Sequence, residues 1–321
     1  MPKRLLAVAT LTTAFLIAGL LLLYIGKPFA FSNSWWQTSV GLLVGIMSSL
    51  FIGFALRTLQ ENPTPLQVAL VGGPRSGKTV FLSVLFNELQ VAKTDRISFQ
   101  PYGRETIEMV GENINCLNAG QWLVPTTKDS VFFFRANAIV GRSLLSKKFT
   151  VEIGDYAGER IDEFDSSSEE WLHRTEYFKY AVGCDIIFLA IDAEKLAFAP
   201  PSVTARMENQ LVAAFQVLLD EKGVVPNERM RAPVALLILK SDLLPRDESN
   251  FRREMGQVDS SVGAFPAMAR LISLCEKRCR SFKVFLVSAV GHLDKGGVPP
   301  QFLEPTGVTD PMIWALMHTS K

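Results

Sequence analysis

Hydrophobic positions fall into distinct patterns along the chain. Leu5 to Tyr24 and Thr38 to Leu56 are apolar runs without a single charge, each long enough to cross a bilayer as a helix. Val68-Ala69-Leu70-Val71, Asp185 to Ile191, Val234 to Leu239 and Lys283 to Val287 are shorter continuous runs, the pattern of parallel strands covered on both faces. Val131 to Val140 and Lys148 to Asp155 flank a polar connection containing Gly141. In the second of them Phe149, Val151 and Ile153 alternate with Thr150 and Glu152, which predicts a hairpin with one partly wetted side. Helical periodicity lies between the strands. Val80 to Gln90 starts one helix, Ser166 with Glu169 caps another toward Ala181, Met207, Leu211, Phe215 and Leu218 line a third, and Pro266 to Arg280 forms a fourth. Alternating strands and helices predict an α/β fold with a doubly wound, mostly parallel sheet.

The pattern divides the chain into a transmembrane hairpin over 1–57, a linker over 58–66 containing Pro63 and Pro65, and a nucleotide-binding domain over 67–321. Lys3 and Arg4 precede the first run and Arg57 follows the second, while Lys27 alone lies in the connection, so both termini are expected in the cytoplasm. In a bacterium that membrane would be the inner one. Tyr24, Trp35 and Trp36 fall where interfacial aromatics belong. Gly41, Gly45, Ser49 and Gly53 recur every fourth residue, a face suited to packing on the first span or on a second copy of the chain, the latter making a homo-oligomer.

Composition adds little. A formal charge of +1 over 321 residues argues against a general nucleic-acid binder. Cys275 and Cys279 share a helical face with Met268, Leu271 and Ile272, which reads as core rather than a metal site, and the other cysteines read as free thiols. His173, His292 and His318 have no ligand spacing.

The chemistry sits in four short motifs. Gly72-Gly73-Pro74-Arg75-Ser76-Gly77-Lys78-Thr79 fits the phosphate-binding loop G-x-x-x-x-G-K-[ST], between an apolar strand and a helix start. Glycines at 72 and 77 give the backbone angles and close approach a phosphate cradle requires, with Pro74, Arg75 and Ser76 supplying backbone N–H groups or loop shape between them. Lys78 would bridge the β- and γ-phosphates, the Thr79 hydroxyl would ligate Mg²⁺, and the helix that follows aims its positive end at the phosphates. Asp155-Tyr156-Ala157-Gly158-Glu159 is a D-x-x-G loop, in which Asp155 would hold Mg²⁺ through water and Gly158 N–H would meet a γ-phosphate. Lys240-Ser241-Asp242 ends a buried strand. The Asp242 carboxylate would accept the guanine N1–H and 2-amino donors, which adenine lacks, while the Lys240 stem packs on the base. Ser288-Ala289 ends the last apolar strand, where the Ala289 N–H would donate to guanine O6.

From Gln67 to Ala289 the chain resembles the TRAFAC-class GTPases, the translation-factor and Ras-like group, whose motifs stand here in family order at matching strand ends. It is also similar to bacterial domains of the double-GTPase group. The resemblance implies a six-stranded sheet with one antiparallel edge strand, binding of GTP or GDP with Mg²⁺, and a conformational switch read by a protein effector or activator. It further implies a switch threonine on Mg²⁺, either Thr126 or Thr127, with Thr127 favoured; Thr106 lies in the same interval but reads as helical. Leu239 stands where the family has Asn or Thr, and Glu159 stands where many members have the glutamine that orients water, so hydrolysis is expected to be slow. Lys78, Gly158 and Glu159 are the candidate catalytic residues. The stretch from Lys78 to Asp155 is longer than in small Ras-like members, which predicts an insertion between the first helix and the hairpin. Two alternatives stand beside the switch: a nucleotide-dependent scaffold without useful hydrolysis, and an ATPase or kinase with Asp192 as the metal aspartate. The last leaves Lys240 to Asp242 and Ser288-Ala289 without a role.

Overall fold

A computed structural model describes residues 63–91, 97–125, 131–141, 146–156, 176–244, 265–293 and 297–319, with isolated helical positions at 13, 42, 45, 46, 48, 49, 52 and 53. The chain divides into two compact units, Met1–Pro63 with Arg142–Lys148, and Thr64–Gly141 with Phe149–Lys321. Apart from the isolated positions, the two apolar runs lie outside the described residues. No helix among the described residues is long and apolar enough to cross a membrane. Around Gly45 and Gly53 nothing approaches within 4 Å of where a Cβ would stand.

The second unit is built on a seven-stranded sheet. In chain order its elements are β1 (Thr64–Gly72), α1 (Lys78–Val91), β2 (Ile97–Pro101), α2 (Arg104–Asn118), β3 (Val131–Val140), β4 (Lys147–Tyr156), α3 (Glu176–Gly183), β5 (Ile186–Asp192), α4 (Ala193–Phe198), α5 (Pro201–Glu221), β6 (Val234–Leu239), α6 (Ala269–Arg278), β7 (Phe282–Val287) and α7 (Asp310–His318). Strand order is β2-β3-β4-β1-β5-β6-β7, with β4, β1, β5, β6 and β7 running parallel and β2 pairing antiparallel with β3.

The apolar runs explain this arrangement. Along β1, Leu66, Val68 and Leu70 enter one core and Ala69 and Val71 the other; along β5, Ile186 and Phe188 face one way and Ile187 and Leu189 the other. Both faces of the central strands are therefore covered, with α1, α2 and α7 on one side and α5 and α6 on the other.

The sheet has one strand more than the family resemblance implies. The expected insertion is β2 with α2, and it moves the antiparallel edge outward from the hairpin to β2. In β2, Ile97 and Phe99 point inward while Ser98 and Gln100 are exposed. Phe86 of α1 packs edge-on against Phe99 at 5.3 Å and beside Phe134 at 5.2 Å, fastening the added strand to the body. Thr106 is helical as expected. It is buried at the start of α2, donates to the Phe133 carbonyl at 3.4 Å and accepts from Arg135 N–H at 3.2 Å.

Glu208 shows how the opposite face is fixed. Buried on α5, it accepts the Arg270 and Leu271 N–H groups at 2.8 and 3.3 Å, donors that the first turn of α6 leaves without helical partners. Glu208→Ala is expected to cost about 1–3 kcal/mol by orphaning those donors. Chemical denaturation of the variant beside the parent measures the loss. The cysteines carry free thiols; Cys275 and Cys279 are buried in this same core as expected, but only Cys275 lies on α6, Cys279 being extended just past its end and paired with Met230.

Candidate functional site

Parallel strands end at one edge of the sheet, and the sequence motifs sit on those ends. The phosphate-loop residues lie between β1 and α1, Asp155 near the end of β4, Lys240 and Asp242 after β6, and Ser288 and Ala289 after β7. Because β4 pairs with β1, Asp155 is brought to the start of α1. Because β6 pairs with β7, Asp242 is brought to Ser288. Carboxyl ends of open parallel sheets are where such folds bind ligands.

The two glycines of the loop serve different needs. Gly77 has φ +89°, a left-handed conformation that side chains resist. Gly72 is required for closeness: a Cβ there would stand 2.6 Å from the Ala190 carbonyl oxygen of β5, its neighbour in the sheet. Its demand comes from strand pairing as much as from a phosphate. Arg75 holds φ 57° without being glycine and is exposed at the tip, with Pro74 half-buried before it. Buried Ser76 donates to the Gly73 carbonyl at 2.9 Å. The Lys78 amine, also buried, donates to the Gly72 and Gly73 carbonyls at 2.9 and 2.8 Å, which holds a cation inside the loop's curve.

Next to it, the Thr79 hydroxyl donates to Asp155 Oδ2 at 2.9 Å. Asp155 Oδ1 is buried with no hydrogen-bond partner among the described residues. Burial raises the Asp155 pKa above its usual 3.8, against the lowering effects of the Thr79 hydrogen bond and the Lys78 charge. A buried carboxylate with one unsatisfied oxygen, beside a hydroxyl, is the donor set a hard cation takes, so these residues fit Mg²⁺. A carboxyl whose folded pKa is raised binds its proton more tightly when folded. Without a cation it therefore destabilises the fold as pH rises through that folded value. Asp155→Asn is expected to raise the melting temperature by about 2–4 °C in magnesium-free buffer near neutral pH, and to abolish any magnesium-dependent gain in nucleotide affinity. Melting curves and titrations with and without magnesium check both parts.

At the other end, Ser288 donates from Oγ to Asp242 Oδ1 at 2.6 Å and accepts Gly291 N–H at 3.1 Å. The K-x-D and S-A motifs are thereby one structure, with the second carboxylate oxygen of Asp242 outside that bond. Ala289 is half-buried beside them. Lys240, at φ 58°, sends its amine to Asp192 Oδ2 at 2.9 Å and Glu194 Oε2 at 3.1 Å. Burial alone would lower its pKa, but the bonds to Asp192 and Glu194 outweigh burial and raise it. Its Cε lies 3.9 Å from where a Cβ on Gly77 would stand, so the stem links the base motif to the phosphate loop.

Asp192 is otherwise engaged. Oδ1 caps α4 by accepting Glu194 N–H at 3.0 Å, and Oδ2 takes Lys240, while Thr79 binds Asp155. This disfavours Asp192 as the metal aspartate. Thr126, Thr127, Gly158 and Glu159 lie outside the described residues.

Two supports escaped the sequence reading. Asn113 of α2 donates to Ser83 Oγ at 2.8 Å, and Ser83, fully buried, donates to the Thr79 carbonyl at 2.9 Å, tying the inserted helix to the phosphate-loop helix. The tail also braces the base loop: Ser288 and Thr306 exchange backbone bonds of 3.0 and 2.8 Å, and a Cβ on Gly307, at φ +66°, would collide with the Leu286 carbonyl. Trp314 packs edge-on against Phe285 at 5.6 Å. Only the serine and glycine identities hinted at these roles, and neither announces a distant partner.

No protein-family model and no curated protein matches the chain. Among solved structures 272 chains match. One is the Arl6 BBS3 small GTPase from Trypanosoma brucei with bound nucleotide analogue GppNp, 16% identical over 80% of this chain and 98% of that chain, with a TM-score of 0.40. That likeness is too loose to speak for this chain's ligand.

Proposed function

We propose that this chain is a membrane-anchored guanine-nucleotide-binding protein that holds GTP with Mg²⁺, hydrolyses it slowly, and presents its nucleotide state to a protein partner. The observation that carries the reading is the meeting of Lys78, Thr79 and Asp155 at one part of the strand-end edge, and of Asp242 with Ser288 at another, with Lys240 between them. A phosphate chain entering the loop would take the Lys78 amine from the Gly72 and Gly73 carbonyls that now accept it. Thr79 and Asp155 would hold Mg²⁺, with Thr127 the expected third contributor; when bound, the ion neutralises charge on the phosphate oxygens. The Ser288 hydroxyl holds Asp242 Oδ1, and the carboxylate's remaining lone pairs would accept the N1–H and 2-amino group of guanine.

Switching would run through Thr127 and the loop after Asp155. Glu159, in place of a glutamine, cannot both accept from and donate to an attacking water while ionised, which supports slow intrinsic turnover. The anchor rests on the apolar runs Leu5 to Tyr24 and Thr38 to Leu56, and both termini would then face the cytoplasmic nucleotide pool. Single-turnover hydrolysis of GTP, measured with and without membrane extract, tests the switch. A slow basal rate that rises by about tenfold or more on adding extract supports it. A rate that no added protein raises favours a nucleotide-dependent scaffold.

A further inference from the structure

Lys240 leaves the strand that carries it. Leu239, the residue before it, ends β6 opposite Asp192 of β5 and is buried in the core, so the place where the family resemblance puts Asn or Thr offers no polar group to hold the loop that follows. Lys240 itself turns the chain at φ 58°, a left-handed conformation that a side chain resists, and the short helical turn Ser241–Leu243 follows directly.

What holds the loop instead comes from β5 and α4. The Lys240 amine donates to Asp192 Oδ2 at 2.9 Å and to Glu194 Oε2 at 3.1 Å. The Asp192 side chain, 4% exposed, is itself fixed, because Oδ1 accepts Glu194 N–H at 3.0 Å. Lys240 is thus anchored at its backbone by β6 and at its amine by two carboxylates, and the stem between them passes beside Gly77 of the phosphate loop. A lysine stem with a free amine samples many rotamers, and a side chain that a ligand must order subtracts from affinity. A stem already stretched between two anchors is spared that loss.

We propose that Asp192 and Glu194 are positioning residues for Lys240, holding its stem where the guanine ring packs and supplying the fastening that Leu239 cannot give. The assignment rests on the guanine-nucleotide reading above, and within that reading it gives Asp192 a part other than metal binding. The sign of the effect separates it from plain electrostatics. Two carboxylates beside a site for an anion repel that anion, so removing their charge would by itself tighten nucleotide binding. As anchors of Lys240 they strengthen binding, and removing them weakens it.

The full chain is titrated with a fluorescent GDP analogue, with and without magnesium. Asp192→Asn keeps Oδ1 as the acceptor for Glu194 N–H but sets an amide N–H₂ against the Lys240 amine; it is expected to weaken binding by about three- to tenfold. Glu194→Lys changes a side chain 58% exposed, outside the core, and brings a like charge up to the amine. It is expected to weaken binding by about threefold or more, although it adds positive charge near the phosphates. Both losses should be the same with and without magnesium. In a Lys240→Met background both should vanish to within about twofold, a dependence that a merely structural role for the carboxylates would not show. Parental or tighter affinity in both variants, or losses of equal size in the Lys240→Met background, overturns the assignment and leaves the nucleotide reading standing. A loss from Asp192→Asn confined to magnesium makes Asp192 a metal ligand and overturns it as well. A parent chain that binds no GDP sinks the nucleotide reading and the assignment with it.

Discussion

Replacing Lys78 with alanine is expected to weaken GTP and GDP binding by about 10²- to 10⁴-fold while the protein stays folded. The size follows from what the amine does. It is buried in the curve of the loop, where the Gly72 and Gly73 carbonyls hold it at 2.9 and 2.8 Å, ready to exchange those acceptors for phosphate oxygens. Charge-assisted hydrogen bonds contribute about 1.5–3 kcal/mol each, and losing two to a phosphate chain gives that range. Alanine also leaves the two carbonyls without this donor, so a modest fall in melting temperature accompanies the loss. The two effects separate cleanly: equilibrium titration with a fluorescent GDP analogue reads the first and a melting curve the second. Unchanged affinity in a folded variant would place the nucleotide elsewhere.

The strands of the sheet centre are legible because both of their faces are covered, which writes each as an unbroken apolar run such as Val234 to Leu239. The turn between β1 and α1 is legible because its glycines stand between an unbroken apolar run and a helix start. The strand β2 is not: its five residues do alternate, but five residues ending in proline carry too little pattern to stand out from a loop. The helix α2 shows in the sequence only at Thr106, and its tie to the site through Asn113 and Ser83 joins residues 30 positions apart. The tail's hold on Ser288 is of the same kind. Thr306 contributes only backbone groups, which any residue could supply, so its identity says nothing of the contact. Even at Gly72 the phosphate cradle is an incomplete reason, since strand pairing with Ala190 forbids a side chain there. Local patterns of apolar and glycine positions are readable; contacts supplied from far along the chain are not.

The base site carries the second large effect. In Asp242→Asn, the carboxylate that would accept the guanine N1–H and 2-amino group becomes an amide that can accept only one of them and presents its own N–H₂ to the other. Guanine is then expected to lose about 10²- to 10³-fold in affinity, from one unmet donor and one donor–donor clash. Xanthine carries an oxygen where guanine has the 2-amino group, so it should bind the variant better than the parent. Ser288 can still donate to the carbonyl oxygen of the new amide, as it donates to Oδ1 in the parent, which preserves the loop. The comparison therefore reads base recognition rather than stability.

The measurement that tests the account most directly is a competition titration of GTP, GDP, ATP and XTP against the parent and Asp242→Asn. Selective guanine binding in the parent, with preference moving to xanthine in the variant, is the expected result. Preference for ATP, or a base preference that ignores the substitution, would contradict it.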